Sequence, residues 1–157
     1  MKTMTANIID ELGPFEGVDA VHGVTWGGRR IWIASGDRLN AVDPAGGKIE
    51  RSIPMSADAG TAFDGRYLYQ IGEAQIRKID PASGEVVATI PAPGDGSDSG
   101  LAWAEGSLWV GQYNARKIHR IDPASGKILA TLESNRFVTG VTWVDGELWH
   151  GTWEADE

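Results

Sequence analysis

Gly140-Val-Thr-Trp143-Val-Asp-Gly146-Glu-Leu-Trp149 is the stretch that decides the fold. A short run opens on Gly and closes on an aromatic, a Gly-containing turn follows, and a second aromatic stands six residues after the first. The same phrase occurs as Gly23-Val-Thr-Trp26 with Trp32, Gly60-Thr-Ala-Phe63 with Tyr69, and Gly100-Leu-Ala-Trp103 with Trp109. The opening glycines are 37, 40 and 40 residues apart. Short apolar runs on either side of an Asp-Gly-like turn mark a β-hairpin.

Downstream of each hairpin the copies match again. Leu39-Asn-Ala-Val42-Asp43-Pro44 aligns with Ile76-Arg-Lys-Ile79-Asp80-Pro81 and Ile118-His-Arg-Ile121-Asp122-Pro123. Each is followed by a turn ending in Gly and a further run, from Ile49, Val86 and Ile128. Asp accepts backbone N–H bonds, Pro presets φ and Gly supplies φ > 0, so Asp43, Asp80 and Asp122 read as turn formers rather than acids or metal ligands.

Each repeat therefore holds four strands, A to D. A period near forty with four short strands predicts an all-β chain, a β-propeller of four-stranded antiparallel blades. The repeats span 23–59, 60–99 and 100–139, with a partial fourth at 140–157 that has strands A and B only. Residues 1–22 form an N-terminal segment whose Asn7 to Leu12 is a candidate ring-closing strand. With that strand the ring is four-bladed; without it the chain is a propeller fragment. The column aromatics Trp26, Trp32, Trp103, Trp109, Trp143 and Trp149 are expected as core between blades.

Composition narrows the function classes. The 157 residues carry a formal charge of −8, which disfavours nucleic acid and anionic membrane as partners. There is no Cys, so disulfides, thiolate zinc sites and Cys nucleophiles are excluded. The N-terminus carries no apolar run of the signal-peptide kind, and the expected location is cytoplasmic.

In such a fold the D-to-A and B-to-C connections share one face, and they vary from copy to copy. That is where a site is expected. Strand A is innermost, so His22, Ser99 and Thr139, each just before a strand-A Gly, should ring the channel mouth, with Asp98 one place earlier. The B-to-C loops add Tyr113, Asn114, His150, Trp153 and Glu154. His22 and His150 are the candidate acid–base pair, since imidazole titrates near neutrality. Asp98, Ser99, Tyr113, Asn114, Thr139 and Trp153 are the candidate ligand contacts, with Tyr113 and Trp153 as stacking walls for a small polar molecule or a peptide N-terminus. No motif names a cofactor; the two imidazoles leave room for a divalent metal at the mouth. His119, in the strand-C column of Asn40 and Arg77, is expected on the solvated surface. The incomplete fourth blade is a route to self-association.

Two stretches resemble known families. Gly106-Ser-Leu-Trp109-Val-Gly-Gln-Tyr-Asn114-Ala-Arg-Lys117-Ile-His-Arg-Ile121-Asp-Pro-Ala-Ser-Gly126 resembles the repeats of streptogramin lyase-like propellers. Phe137-Val-Thr-Gly140-Val-Thr-Trp143-Val-Asp-Gly146-Glu-Leu-Trp149-His-Gly-Thr-Trp153-Glu154 resembles the glutamine cyclotransferase family. The second resemblance implies a propeller that cyclises N-terminal glutamine. Thr139 stands where that family's phrase has an acidic residue, and His150 where it has Gln. The lyase-like repeats often carry Glu two residues after the strand-B aromatic; Ala34, Ile71, Gly111 and Gly151 stand there. Alongside the enzyme-like expectation stands a non-catalytic binding or structural propeller, including a truncated relative.

Overall fold

The computed structural model describes Thr5 and residues 7–153, and every regular element among them is a β-strand. Blade one is β1 (Gly23–Trp26), β2 (Ile31–Ala34), β3 (Gly36–Val42) and β4 (Ile49–Ala57). Blade two is β5 (Thr61–Phe63), β6 (Leu68–Gly72), β7 (Gln75–Ile79) and β8 (Val86–Pro91). Blade three is β9 (Asp98–Ala104), β10 (Ser107–Gln112), β11 (Lys117–Ile121) and β12 (Ile128–Glu133). Blade four has two strands, β13 (Phe137–Val144) and β14 (Glu147–Trp153). Each sheet is an antiparallel meander in chain order. This is the expected β-propeller, and it is open.

The Asp-Pro turns form as their chemistry dictates. The Asp43 carboxylate accepts from the Ala45 and Gly46 amides, Asp80 from Ala82 and Ser83, and Asp122 from Ala124 and Ser125. The Ser125 amide and hydroxyl, bonded to Asp122, hold its carboxyl below the usual range. Gly47, Gly84 and Gly126 close the turns at φ of 64°, 80° and 75°, in the left-handed region.

Blades stack through three apolar layers. Trp32, Leu39 and Ile53 of blade one meet Leu68 and Ile79 of blade two. Tyr69, Ile76 and Ile90 meet Leu101, Leu108 and Ile121 of blade three. Trp109 and Ile118 meet Val138, Val141 and Trp143 of blade four. One pattern recurs: the strand-B aromatic of a blade lies on the strand-A aromatic of the next. Tyr69 stacks on Trp103 with centroids 5.6 Å apart, and Trp109 on Trp143 at 5.6 Å. The glycines that open strand A let the inner strands pack backbone to backbone. A Cβ on Gly60 would clash with the Leu101 amide, and one on Gly100 with the Val141 amide.

Three expectations need correction. Asn7–Leu12 does not form a closing strand; it runs unpaired along the outside, with Ile8 and Ile9 exposed. Only the next residues dock: Leu12 lies against Gly47, and Pro14 to Val18 line a hollow with Asn40, Ile49 and Ser52 of blade one. Second, Trp26 and Trp149 are not core. The strand-B column reads 4, 2 and 9 % exposed at Trp32, Tyr69 and Trp109, but 58 % at Trp149. Both lie more than half exposed, and among the described residues blade four is not packed on blade one. Third, His119 is buried. Its Nδ1 lies 2.8 Å from Thr131 Oγ1, and burial, helped by Lys117, pulls its pKa down.

Candidate functional site

The four inner strands β1, β5, β9 and β13 surround a cavity of about 900 Å³, open along the seam between blades four and one. Its polar rim contains His22, Ser99, Thr139 and His150, so four of the residues expected at the mouth come together there. The wall adds the Thr25, Thr61 and Thr142 hydroxyls. Aromatic surface comes from Trp26, Phe63, Trp103, Trp143 and Trp149. No Asp, Glu, Lys or Arg lines the cavity among the described residues. The two imidazoles are its titratable groups.

Hydrogen bonds fix what the hydroxyls can offer. Thr61 Oγ1 donates to Gln70 Oε1, a side chain with no exposed surface, whose Nε2 in turn donates to the Ala59 and Ile71 carbonyls. Ser99 Oγ donates to the Val138 carbonyl at 2.7 Å, tying blade three to blade four. With their protons engaged, both oxygens keep lone pairs with which to accept a further hydrogen bond. The Ser99 tie also accounts for the start of β13 lying close on blade three. His22 is anchored by its amide, which donates to the Ala34 carbonyl at 2.8 Å. His150 sits on β14 opposite Val141.

The other expected contacts lie elsewhere. Asp98 is buried beneath the loop before β9, opposite Gln112, and its Oδ2 accepts from the Gly94 amide. Among the described residues its Oδ1 accepts no well-formed hydrogen bond, and desolvation raises its pKa, opposed in part by the Gly94 amide and the nearby Gln112 side chain. It supports the loop and does not line the cavity. Tyr113 and Trp153 do stack, but on each other and on Phe137, not across a gap. Tyr113 and Phe137 centroids are 4.7 Å apart, Phe137 and Trp153 6.0 Å, and the Arg116 guanidinium lies 4.6 Å from the Phe137 ring. Asn114 is exposed in the β10–β11 turn. Glu154 lies outside the described residues. Among those described, no group of three or more His, Cys, Asp or Glu is placed to hold a metal ion. No helix among them is long and apolar enough to cross a membrane.

The sequence reading missed Phe137, Thr61 and the cavity-facing role of the strand-A aromatics. Phe137 had a usable signal, standing three residues before the strand-A Gly as strand β13 begins. Thr61 had none, since its importance comes from Gln70 in the next strand.

Three meandering four-stranded blades and a two-stranded fourth around one cavity define a β-propeller. Among solved structures, the chain is similar to the glutaminyl cyclase of Myxococcus xanthus, with a TM-score of 0.80, 14% identity, and coverage of 95% of this chain and 68% of that one. It is also similar to the computationally designed Ika4 protein, with a TM-score of 0.63 and 15% identity, covering 92% of this chain and 93% of that one. The WD40 domain of Neurospora crassa Pan2 gives 0.64 at 10% identity, with 84% of this chain on 43% of that one. No family model matches the chain, and no curated protein matches it.

Proposed function

We propose that this chain is a ligand-binding propeller whose central cavity takes a small uncharged molecule bearing a ring and several hydrogen-bond donors. The observation that carries this reading is the lining itself. Five aromatic side chains offer flat apolar surface, and hydroxyl lone pairs offer acceptors, with no Asp, Glu, Lys or Arg to pair a charged guest. A charge buried there without a counter-ion would cost several kcal/mol, which selects neutral guests. An aryl glycoside has the required character. Titration with 4-nitrophenyl glucoside should quench the tryptophan emission saturably, and Thr61→Val should weaken binding about fivefold by removing one acceptor. If the aryl glycoside and benzoate bind equally, the selection for neutral guests fails.

A second reading is catalytic, and the likeness to glutaminyl cyclase favours it. Cyclising an N-terminal glutamine requires the α-amine to attack the side-chain amide carbon and ammonia to leave. One imidazole can take the amine proton and return it to the leaving nitrogen. His22 and His150 both line the cavity and are the candidates for that transfer. Ammonia release from a glutaminyl peptide, abolished in His150→Ala, would support this reading; no release from wild type would remove it.

A further inference from the structure

The unpaired N-terminal segment carries the strand-C signature of the repeat. Ile9-Asp10-Glu11-Leu12-Gly13-Pro14 matches Leu39-Asn-Ala-Val42-Asp43-Pro44 and its two counterparts: apolar, two residues of any kind, apolar, then Pro two places on. The following turn matches as well. Gly17, three residues after Pro14, has φ 71°, beside 64°, 80° and 75° at Gly47, Gly84 and Gly126. Residues 9–17 therefore carry the pattern of a strand C with its C–D turn, placed ahead of the first strand A.

Blade four has the complementary vacancy. Among the described residues no strand lies on the outer edge of β14, and a row of unpaired amides and carbonyls is a template for another strand. Strand C pairs with strand B in a constant register: Leu39 lies opposite Ala34 and Val42 opposite Ile31. Transferred to blade four, that register sets Ile9 opposite Gly151, Asp10 opposite His150, and Leu12 opposite Leu148. The pairing also joins a carboxylate to an imidazole across the strands, a favourable cross-strand pair.

We infer that β14 is completed by Asn7–Leu12 of a second copy, in reciprocal strand exchange, and that Asp10 of one copy thereby meets His150 of the partner subunit at the cavity rim. The second copy is preferred to the chain's own segment on geometry. Within one chain the segment is docked on blade one while β14 stands across the open seam, leaving Trp26 and Trp149 exposed. Exchange buries Ile9, now 97 % exposed, and brings Trp149 of one copy to Trp26 of the partner subunit, repeating the Tyr69–Trp103 stack.

Light scattering at tens of micromolar chain should give the mass of a dimer. The sequence has no Cys, so single introduced thiols report cleanly. Asp10→Cys mixed with His150→Cys should oxidise to a covalent pair of chains, each variant alone giving none. Ile9→Asp should weaken dimerisation about a hundredfold and leave the unfolding midpoint of the isolated chain unchanged, because Ile9 touches little within one chain. A monomeric mass overturns the inference. So does a dimer without the mixed disulfide, or a disulfide that forms only when both thiols are in one chain.

Discussion

At the seam between blades two and three, Tyr69 stacks on Trp103 and Ile90 is buried beneath blade three; at the seam between blades four and one, Trp149 and Trp26 fill the same two columns and lie more than half exposed. The local sequences are the same in kind: a Gly, a short apolar run, an aromatic, a turn, an aromatic. What differs is the neighbour. Burial in a repeat fold is a property of the contact between copies, so an identical phrase is core in one copy and surface in another.

The contrast can be broken most sharply at the aromatics. Tyr69→Ala should destabilise the chain by roughly 3–5 kcal/mol in urea unfolding, as expected for a buried aromatic. Trp149→Ala, measured on the dissociated chain, should cost less than about 0.5 kcal/mol. Equal costs would mean that the fourth seam is already made within one chain.

The outer strands offer a smaller version. Ile53 and Ile90 are buried, whereas Leu132 in the same strand-D column is 47 % exposed because blade four has no outer half against it. Ile90→Ala should cost about 2–4 kcal/mol and Leu132→Ala under about 1 kcal/mol. Matching values would place an unseen layer over β12.

The strand-A glycines sharpen the same point at the backbone. A Cβ on Gly100 would come within 2.9 Å of the Gly140 Cα, whereas one on Gly140 meets open space. Gly100→Ala should cost about 1–3 kcal/mol by overpacking, and Gly140→Ala should leave the dissociated chain nearly unchanged.

The smallest expected effect lies at Asp98. Its raised pKa means that the folded chain binds this proton more tightly than the unfolded one. Stability is therefore lost as pH rises through the ordinary carboxylate range to the folded value, and the loss is complete above it. Asp98→Asn should gain roughly 1 kcal/mol at neutral pH, with the gain vanishing in acid. A gain independent of pH would contradict the titration.

The blades were legible because each strand carries its own signature and each turn its own chemistry. The first three repeats appear as Asp43, Asp80 and Asp122 announce them. The cavity rim was legible in part: His22, Ser99, Thr139 and His150 followed from their places beside strand A and after strand B. The other placements turn on contacts that a sequence column does not show. Trp26 and Trp149 were expected as core from columns that do not say which blade lies opposite. His119 was expected in solvent, although its column mate Asn40 is itself buried and bonded to Ser35 and Ser52. Tyr113 and Trp153 were expected to flank a guest, but Phe137, from the neighbouring strand, holds them together. Asp98 was expected at the mouth, yet the loop from Pro91 folds over it. Except at Asp98, whose cover is its own loop, each difference lies in a contact between separate strands.

Amide hydrogen exchange on β14, run above and below the concentration at which the chain dissociates, tests the open seam most directly. The β14 amides pointing away from β13 should exchange freely in the dilute chain and be protected in the dimer, while β6 and β10 stay protected at both concentrations. Protection of those β14 amides at every concentration would contradict the open seam, because the chain would then have closed its own ring.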